Sequence, residues 1–277
     1  MRSILFVPGD RSDRFPKALA SGADAVCVDL EDGVAPPHKA AARQSTVAFL
    51  SQLEAAPCAM FVRVNGLESP VGVEDLAALS QPFRCLAGLL LPKCTSPDSV
   101  ARVAERLGEA GRDLSLTALI EDPTGLRRAH EIAAHPRVWA LVLGPLDLAH
   151  SLGAIPSPEL LAPVRVQLRL AAAEAGKAAI DGPYVDIPDL AGLQTETALA
   201  AKLGYDGKLA IHPTQIPPIN QGFTPSREQI ESDRRIIAAV EASEHGVVVV
   251  DGRMIDKPLV EAARRRVRLA DQFSEGG

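Results

Sequence analysis

Residues 25–33 read AVCVDLEDG: four apolar residues, then a cluster of carboxylates and a glycine. A short run of consecutive apolar residues is typical of a strand covered on both faces, as in a parallel sheet. The same kind of run recurs seven more times, at residues 3–7, 60–64, 88–91, 115–120, 139–143, 177–180 and 208–211. The sequence therefore predicts eight short, buried strands.

Amphipathic stretches separate these runs and predict helices over residues 15–21, 38–53, 97–110, 124–135, 157–175 and 189–203. Ser96 before Pro97 suits a helix start, and Gly22, Gly111, Gly176 and Gly204 lie where helix ends are expected. Eight strands alternating with helices predict a (β/α)8 barrel. An open doubly wound sheet also alternates, but no GxGxxG motif follows the first strand, and eight units is the number that closes a barrel.

The pattern changes after Pro217 and Pro218. A helix is predicted over residues 224–243, a strand over 246–250, a turn at Asp251-Gly252 and a basic helix over 257–273. We expect an α/β protein with a barrel catalytic domain over residues 1–216 and a helical C-terminal extension over 217–277. The extension has too little apolar sequence for a core of its own, so we expect it to pack on a barrel, its own or a neighbour's.

Composition excludes several classes of protein. The chain has 29 basic and 35 acidic residues, and no basic run is longer than residues 264–266, which argues against nucleic-acid binding. No apolar stretch approaches the roughly 20 residues that cross a bilayer. The opening segment is too short for a signal peptide, and the four cysteines form no CxxC pair. We expect a cytoplasmic protein without a membrane partner.

Every predicted strand delivers a polar or charged residue at its carboxyl end. In a barrel, these ends carry the catalytic groups, so one polar site is predicted there. The residues, in strand order, are Asp10 and Arg11; Asp29, Glu31 and Asp32; Arg63 and Asn65; Lys93; Glu121 and Asp122; Asp147; Asp181; and His212.

Glu121 and Asp147 follow adjacent strands, so their carboxylates can converge. Two carboxylates with waters and a substrate oxygen are a usual Mg²⁺ site, and no His/Cys set competes for a softer metal. Arg63 offers a rigid fork for a carboxylate or carbonyl oxygen. From the residues alone, structural carboxylates and an internal salt bridge from Arg63 to Asp29 or Glu31 are equally open.

The other charged residues have simpler interpretations beside the functional one. Asp10 and Asp32 suit helix caps, Lys93 suits a pair with a strand-end carboxylate, Asp181 suits a turn, and His212 suits a packed barrel histidine. The loop 9–17 carries Arg11, Arg14 and Lys17, which could cradle the phosphates of an acyl carrier or begin a solvated helix.

Six segments in order resemble the citrate lyase β-subunit and malyl-CoA lyase family over nearly the whole chain. They are RSILFVPGDR at 2–11, SGADA at 21–25 followed by DLED at 29–32, FVRVN at 61–65, LPK at 91–93, GYDGKLAIHPTQ at 204–215 and DGRMIDKP at 251–258. The chain departs from the family at Asp122, where Thr is frequent, and at Pro145 and Leu146. Asp122 adds an extra anion, and these departures bear on substrate range.

The resemblance implies a Mg²⁺-dependent carbon–carbon lyase that splits malyl-, citramalyl- or citryl-CoA into acetyl-CoA, or a homologue, and a 2-oxo acid. It implies Glu121 and Asp147 as metal ligands and Arg63 as a catalytic and substrate-binding residue. It also implies that Asp29, Arg14 and Lys17 bind substrate. Alternatives are a malyl-CoA thioesterase, a malate-synthase-like enzyme, or a β-subunit of a citrate lyase complex acting on an acyl-carrier-protein thioester.

The resemblance further implies that residues 254–258 form a lid that carries Asp256 as the catalytic acid/base. The lid would be shared between subunits of a homo-oligomer, a trimer or hexamer. For Asp256 the simpler interpretation is a cap of the last helix. Asp251, a rival candidate, is more simply a turn residue.

Overall fold

Eight parallel strands form a closed barrel in this computed structural model, which describes residues 1–109, 111–243 and 248–274. Each strand pairs with the next along the chain, and the eighth pairs with the first. The strands are β1 Ser3–Pro8, β2 Ala25–Asp29, β3 Ala59–Arg63, β4 Leu86–Leu91, β5 Ser115–Ile120, β6 Val138–Leu143, β7 Ala178–Asp181 and β8 Gly207–Ala210. The predicted barrel is confirmed.

The barrel interior is filled by one row of mostly small and aliphatic side chains from all eight strands: Ile4, Ala25, Cys27, Phe61, Leu90, Leu119, Ala140, Val142, Ile180 and Leu209. Because alternate residues of a strand share a face, the inward rows continue to the carboxyl ends. Cys27 is thus followed on its face by Asp29, and Phe61 by Arg63. This alternation places charged groups directly above an apolar core.

Helices surround the barrel. They are α1 Phe15–Leu19, α2 Lys39–Gln52, α3 Pro70–Leu79, α4 Pro97–Leu107, α5 Pro123–Arg127, α6 Ala129–Ala133, α7 Pro145–Ser151, α8 Pro158–Glu174, α9 Leu190–Lys202 and α10 Ile216–Phe223. Helices α3, α7 and α10 were not predicted, and the single helix predicted over 124–135 is two short helices that meet at Arg128.

The helix ends follow the expected chemistry, with one correction. The hydroxyl of Ser96 accepts from the Ser99 N–H at the start of α4, and Gly22, Gly176 and Gly204 have φ angles of 78°, 66° and 86°. Helix α4 ends earlier than predicted, because Gly108 at φ 55° takes the left-handed position assigned to Gly111. The predicted end at Ala110 lies outside the described residues.

A buried ionic cluster lies behind β7 and β8. Asp181 accepts from Arg165 Nε at 2.9 Å and from Lys208 Nζ at 2.7 Å, and Lys208 also donates to Glu196 at 2.6 Å and to the Gly182 carbonyl at 2.7 Å. Burial opposes ionisation of Asp181, but Lys208 and Arg165 outweigh it, so its pKa is lowered. Of the two interpretations that the sequence left open for Asp181, the turn residue is wrong, because Asp181 ends β7 as a buried member of this cluster.

Contacts divide the chain into Met1–Asn220 and Gln221–Gly277, close to the predicted boundary at 216/217. In the second unit, helix α11 Arg227–Glu241 packs against α12 Lys257–Ser274, where the buried Asp233 accepts two hydrogen bonds of 2.7 Å from Arg266. None of the described helices is long and apolar enough to cross a membrane.

Strands β9 Val248–Val250 and β10 Arg253–Ile255 form an antiparallel hairpin in the second unit. Its turn is the predicted Asp251-Gly252, with φ of 51° and 75°, as a two-residue hairpin turn requires. Of the strand predicted over 246–250, residues 246 and 247 lie outside the described residues. Strand β10 was not predicted.

Candidate active site

A cavity of about 320 Å³ opens at the carboxyl ends of the strands. Four of the predicted site residues, Asp29, Arg63, Glu121 and Asp147, line it together with Asp32. Its walls are otherwise apolar, formed by side chains that include Phe6, Leu119, Leu143, Pro183, Leu209 and Ile211. A few converging polar groups in an apolar pocket are typical of a small-molecule site.

Arg63 is held by carboxylates on two sides. Its Nε and Nη2 donate to the two oxygens of Asp29 at 2.7 Å each, and its Nη1 lies 3.0 Å from Glu31 Oε2. The guanidinium also lies over the Phe6 ring, 5.1 Å from its centroid. Burial alone would lower the pKa of Arg63, but these carboxylates raise it. Two of the five N–H donors make hydrogen bonds, both to Asp29, and Nη1 forms an ion pair with Glu31, so N–H donors remain for a ligand.

Both carboxylate oxygens of Asp29 already accept two hydrogen bonds each. Besides Arg63, its carboxylate accepts from the Glu31 N–H at 2.9 Å and from the Gly33 N–H at 2.8 Å. A Cβ on Gly33 would come within 2.3 Å of Asp29 Oδ2, so this turn needs a glycine. The structure thus gives Asp29 the task of orienting Arg63 and the turn after β2. Its predicted contact with substrate stays a prediction.

Glu121 is buried and partly free. Its Oε1 accepts from the Lys93 N–H at 2.6 Å, whereas its Oε2 accepts no hydrogen bond from any described residue. Burial first, then the nearby charges of Asp147 and Glu31, raises the pKa of Glu121 to about 8. A Cβ on Gly144 would lie 2.7 Å from Oε2, so the glycine leaves room for this carboxylate.

The two carboxylates suit a divalent cation. Asp147 lies in the first turn of α7, and its side chain makes no hydrogen bond within the part of the chain described. No group of three or more His, Cys, Asp or Glu side chains suited to a metal occurs among those residues. Glu121 and Asp147 line one cavity and offer two hard oxygen donors, which leaves other positions to water and substrate and fits Mg²⁺. A cation would replace the proton that the raised pKa of Glu121 favours.

Two predicted site residues, Arg14 and Lys17, lie outside this cavity, and a third, Asp256, belongs to the second unit. Arg14 and Lys17 are exposed at the start of α1, and neither forms an ion pair with a described residue. Asp256 precedes α12, where its Oδ1 accepts from the Leu259 N–H at 3.4 Å, as a helix cap does. Their roles stay predictions.

Several strand-end residues have structural tasks. Asp122 caps α5 by accepting from the Thr124 and Gly125 N–H groups, and it is not among the residues that line the cavity, so an extra anion beside the metal stays a prediction. His212 pairs with Thr214 at 2.8 Å, and Asp10 lies 3.5 Å from His38. These local partners explain why a charge at a strand end need not belong to the site.

Glu31 is the residue that sequence reasoning undervalued most. It is buried between Arg63 and Lys93, whose Nζ lies 2.9 Å from Glu31 Oε1. Glu31 and Lys93 line a second cavity, of about 430 Å³, next to the first. The signal was present, since both follow predicted strands, but their mutual pairing depends on the turn geometry of each.

A family model described as HpcH/HpaI aldolase/citrate lyase matches residues 2–213. The chain belongs to the HpcH/HpaI aldolase/citrate lyase family. The match spans the whole barrel with the candidate site, so the family and fold expected from the sequence motifs are confirmed.

Among its relatives is a (3S)-malyl-CoA thioesterase of Cereibacter sphaeroides, which is 36% identical over 281 residues, or 100% of this chain and 96% of that protein. An L-malyl-CoA/beta-methylmalyl-CoA lyase of the same species is 32% identical over 303 residues, or 99% of this chain and 95% of that protein. Family membership thus spans at least two reaction types at similar identity.

The fold is also shared with a solved structure of the protein CitE from Mycobacterium tuberculosis, which was crystallised with magnesium, acetoacetate and coenzyme A. The TM-score is 0.84 at 34% identity, and the superposition covers 98% of each chain. This family member therefore holds magnesium and coenzyme A on the same fold.

Proposed function

We propose that this chain is a Mg²⁺-dependent lyase that cleaves a 3-hydroxyacyl-CoA of the malyl, citramalyl or citryl type. The bond between the carbinol carbon and the thioester α-carbon breaks, which yields acetyl-CoA or a homologue and a 2-oxo acid. The observation that carries the proposal is that Arg63, Glu121 and Asp147 line one cavity. The complexes of CitE with magnesium and coenzyme A support it.

The cleavage creates negative charge at two places, on the hydroxyl oxygen and on the thioester oxygen. Mg²⁺ held by Glu121 and Asp147 would supply a Lewis acid for the oxygens of the acid half of the substrate. Arg63 would bind the thioester oxygen through N–H donors that make no hydrogen bond to Asp29, and it would stabilise the charge that develops there. Because Asp29 and Glu31 already hold the guanidinium, little reorganisation is needed.

The hydroxyl proton must be accepted as the C–C bond breaks, and a proton must then be donated to the α-carbon, which is the work of one acid/base group. We assign this role to Asp256, delivered by the C-terminal lid of a neighbouring subunit in a trimer or hexamer, with the barrel as the catalytic domain. Closure of a lid would also exclude water from the cavity.

We assign Arg14 and Lys17 to the phosphates of coenzyme A, because they are cations after β1 that lack a carboxylate partner among the described residues. The four free cysteines suit the cytoplasm.

A thioesterase is the second candidate, because a full-length relative at 36% identity carries that name. Purified protein should be incubated with Mg²⁺ and malyl-, citramalyl- or citryl-CoA, and the products identified by mass. A lyase releases acetyl-CoA with glyoxylate, pyruvate or oxaloacetate, respectively. A thioesterase releases free CoA and the intact hydroxy acid. Samples with EDTA serve as controls, and absence of both product sets would contradict the proposal.

A further inference from the structure

Lys93 contacts both halves of the candidate site. Its main-chain N–H donates to Glu121 Oε1 at 2.6 Å, and its Nζ donates to Glu31 Oε1 at 2.9 Å. Its φ of 48° places it in the left-handed region, which a residue with a side chain adopts only where its surroundings hold it. This backbone conformation turns the N–H toward the carboxylate after β5 and the side chain toward the carboxylate after β2.

Among the side chains of Asp29, Glu31, Arg63 and Lys93, the charges balance only when Lys93 is counted, and Lys93 Nζ also lies 3.9 Å from Asp32. The Glu31 side chain is 7% exposed and bridges Arg63 and Lys93 through its two oxygens. Asp29 and Glu31 together carry two negative charges against one on Arg63, a sum of −1. The Lys93 ammonium brings this group of four side chains to neutrality. Without it, the carboxylates would overcompensate the guanidinium and weaken its attraction for new negative charge.

We propose that Lys93 is a positioning residue of this site: its ammonium neutralises Glu31, so that Arg63 keeps its attraction for substrate, and its N–H orients Glu121. Lys93 itself need not touch the substrate. The effect on turnover rests on the proposed function, whereas the effect on the metal site does not.

The variant Lys93→Met keeps the main-chain N–H and an unbranched side chain, one heavy atom shorter, but removes the charge. We expect it to lower kcat by about 10- to 100-fold, the range seen when outer partners of a site are removed, while KM changes little. Lys93→Arg, which retains the charge, should recover most of the activity. Equal losses in both variants, or an unchanged kcat in Lys93→Met, would overturn the proposal.

Titration of the protein with Mg²⁺ alone gives a readout independent of turnover. The charges of Lys93 and Glu121 interact, so Lys93→Met should bind Mg²⁺ a few-fold more tightly than the wild type. A merely structural defect would loosen Glu121 and weaken Mg²⁺ binding. Tighter metal binding with slower turnover is the expected signature, and weaker metal binding would count against the assignment.

A double variant tests the neutralisation itself. Glu31→Gln/Lys93→Met removes both charges of the pair, so it should be more active than Lys93→Met alone. A further loss in the double variant would count against neutralisation as the role of Lys93. If wild-type protein turns over no thioester, the proposed function fails, and the Mg²⁺ titration of Lys93→Met still decides the role of Lys93.

Discussion

At the scale of single residues, Glu121 is a buried carboxylate of the site whose surroundings disfavour its charged form. Its raised pKa, about 8, follows from burial and from Asp147 nearby, and a divalent cation relieves both. We predict that Glu121→Gln and Asp147→Asn each abolish Mg²⁺-dependent turnover and weaken Mg²⁺ binding, while circular dichroism shows an intact fold. Wild-type turnover and metal affinity in either variant would rule out this metal site.

Arg63 tests whether a fork, rather than a charge, is needed. Arg63→Lys keeps the charge, but a single ammonium group cannot contact Asp29 and Glu31 as the three guanidinium nitrogens do. Turnover should therefore fall by about 10²- to 10³-fold. Arg43→Lys is the matched control, because Arg43 is equally buried (13% exposed, like Arg63) and pairs with Glu74 and Asp75 away from the cavity. Near-normal kcat in Arg63→Lys would make Arg63 structural.

At the scale of elements, the connection from β6 to α7 is shaped by Gly144. A Cβ there would lie 2.4 Å from the Glu121 Cβ, far below contact distance, so Gly144→Ala should displace the Glu121 carboxylate. We predict about tenfold weaker Mg²⁺ binding, of the order seen when groups that orient a metal ligand are lost, measured by calorimetry. Gly66→Ala is the control, since nothing lies within 4 Å of its added Cβ. Equal affinities in the two variants would refute this reasoning.

The strands were predictable because each is a buried apolar run, and the metal pair was predictable because adjacent strands end side by side. Helix α3 was missed because its Pro-Val-Gly-Val start has weak helical periodicity; the Ser69 hydroxyl, which accepts from the Gly72 N–H, begins it. The Glu31–Lys93 pair could not be predicted, because nothing in the amino-acid sequence around Lys93 indicates its left-handed backbone conformation. Sequence patterns thus locate the site, whereas its internal pairing depends on turns.

At the scale of the whole molecule, the hypothesis is an active site completed between subunits. Asp256→Ala should bind CoA thioesters and assemble normally but lose turnover, and the lost helix cap should cost only about 1 kcal/mol of stability. Mixing it with Glu121→Gln subunits, after dissociation and reassembly, should restore partial activity.

Asp251→Asn is the matched control for Asp256→Ala, because Asp251 is an exposed hairpin residue paired with Arg235, and Asn tolerates its positive φ. It should retain activity. Verified mixed oligomers of Asp256→Ala and Glu121→Gln that stay inactive would count against a site shared between chains.

The charges behind β7 and β8 come from four separate elements, α8, β7, α9 and β8, and this makes the last part of the barrel cooperative. Partial opening would leave Lys208 or Asp181 buried without its ion-pair partner. We therefore expect β7 and β8 to exchange their amide hydrogens together, in one opening event. Asp181→Asn should lower the free energy of unfolding by about 3–5 kcal/mol and let the amides of β7 and β8 exchange before those of β5 and β6.

The same carboxylate makes the stability depend on pH. Because the pKa of Asp181 is lowered in the fold, its contribution to stability is present above the unfolded value near 3.8 and lost as pH falls below it. We therefore expect the barrel to close in one step that depends on these ion pairs as well as on apolar packing.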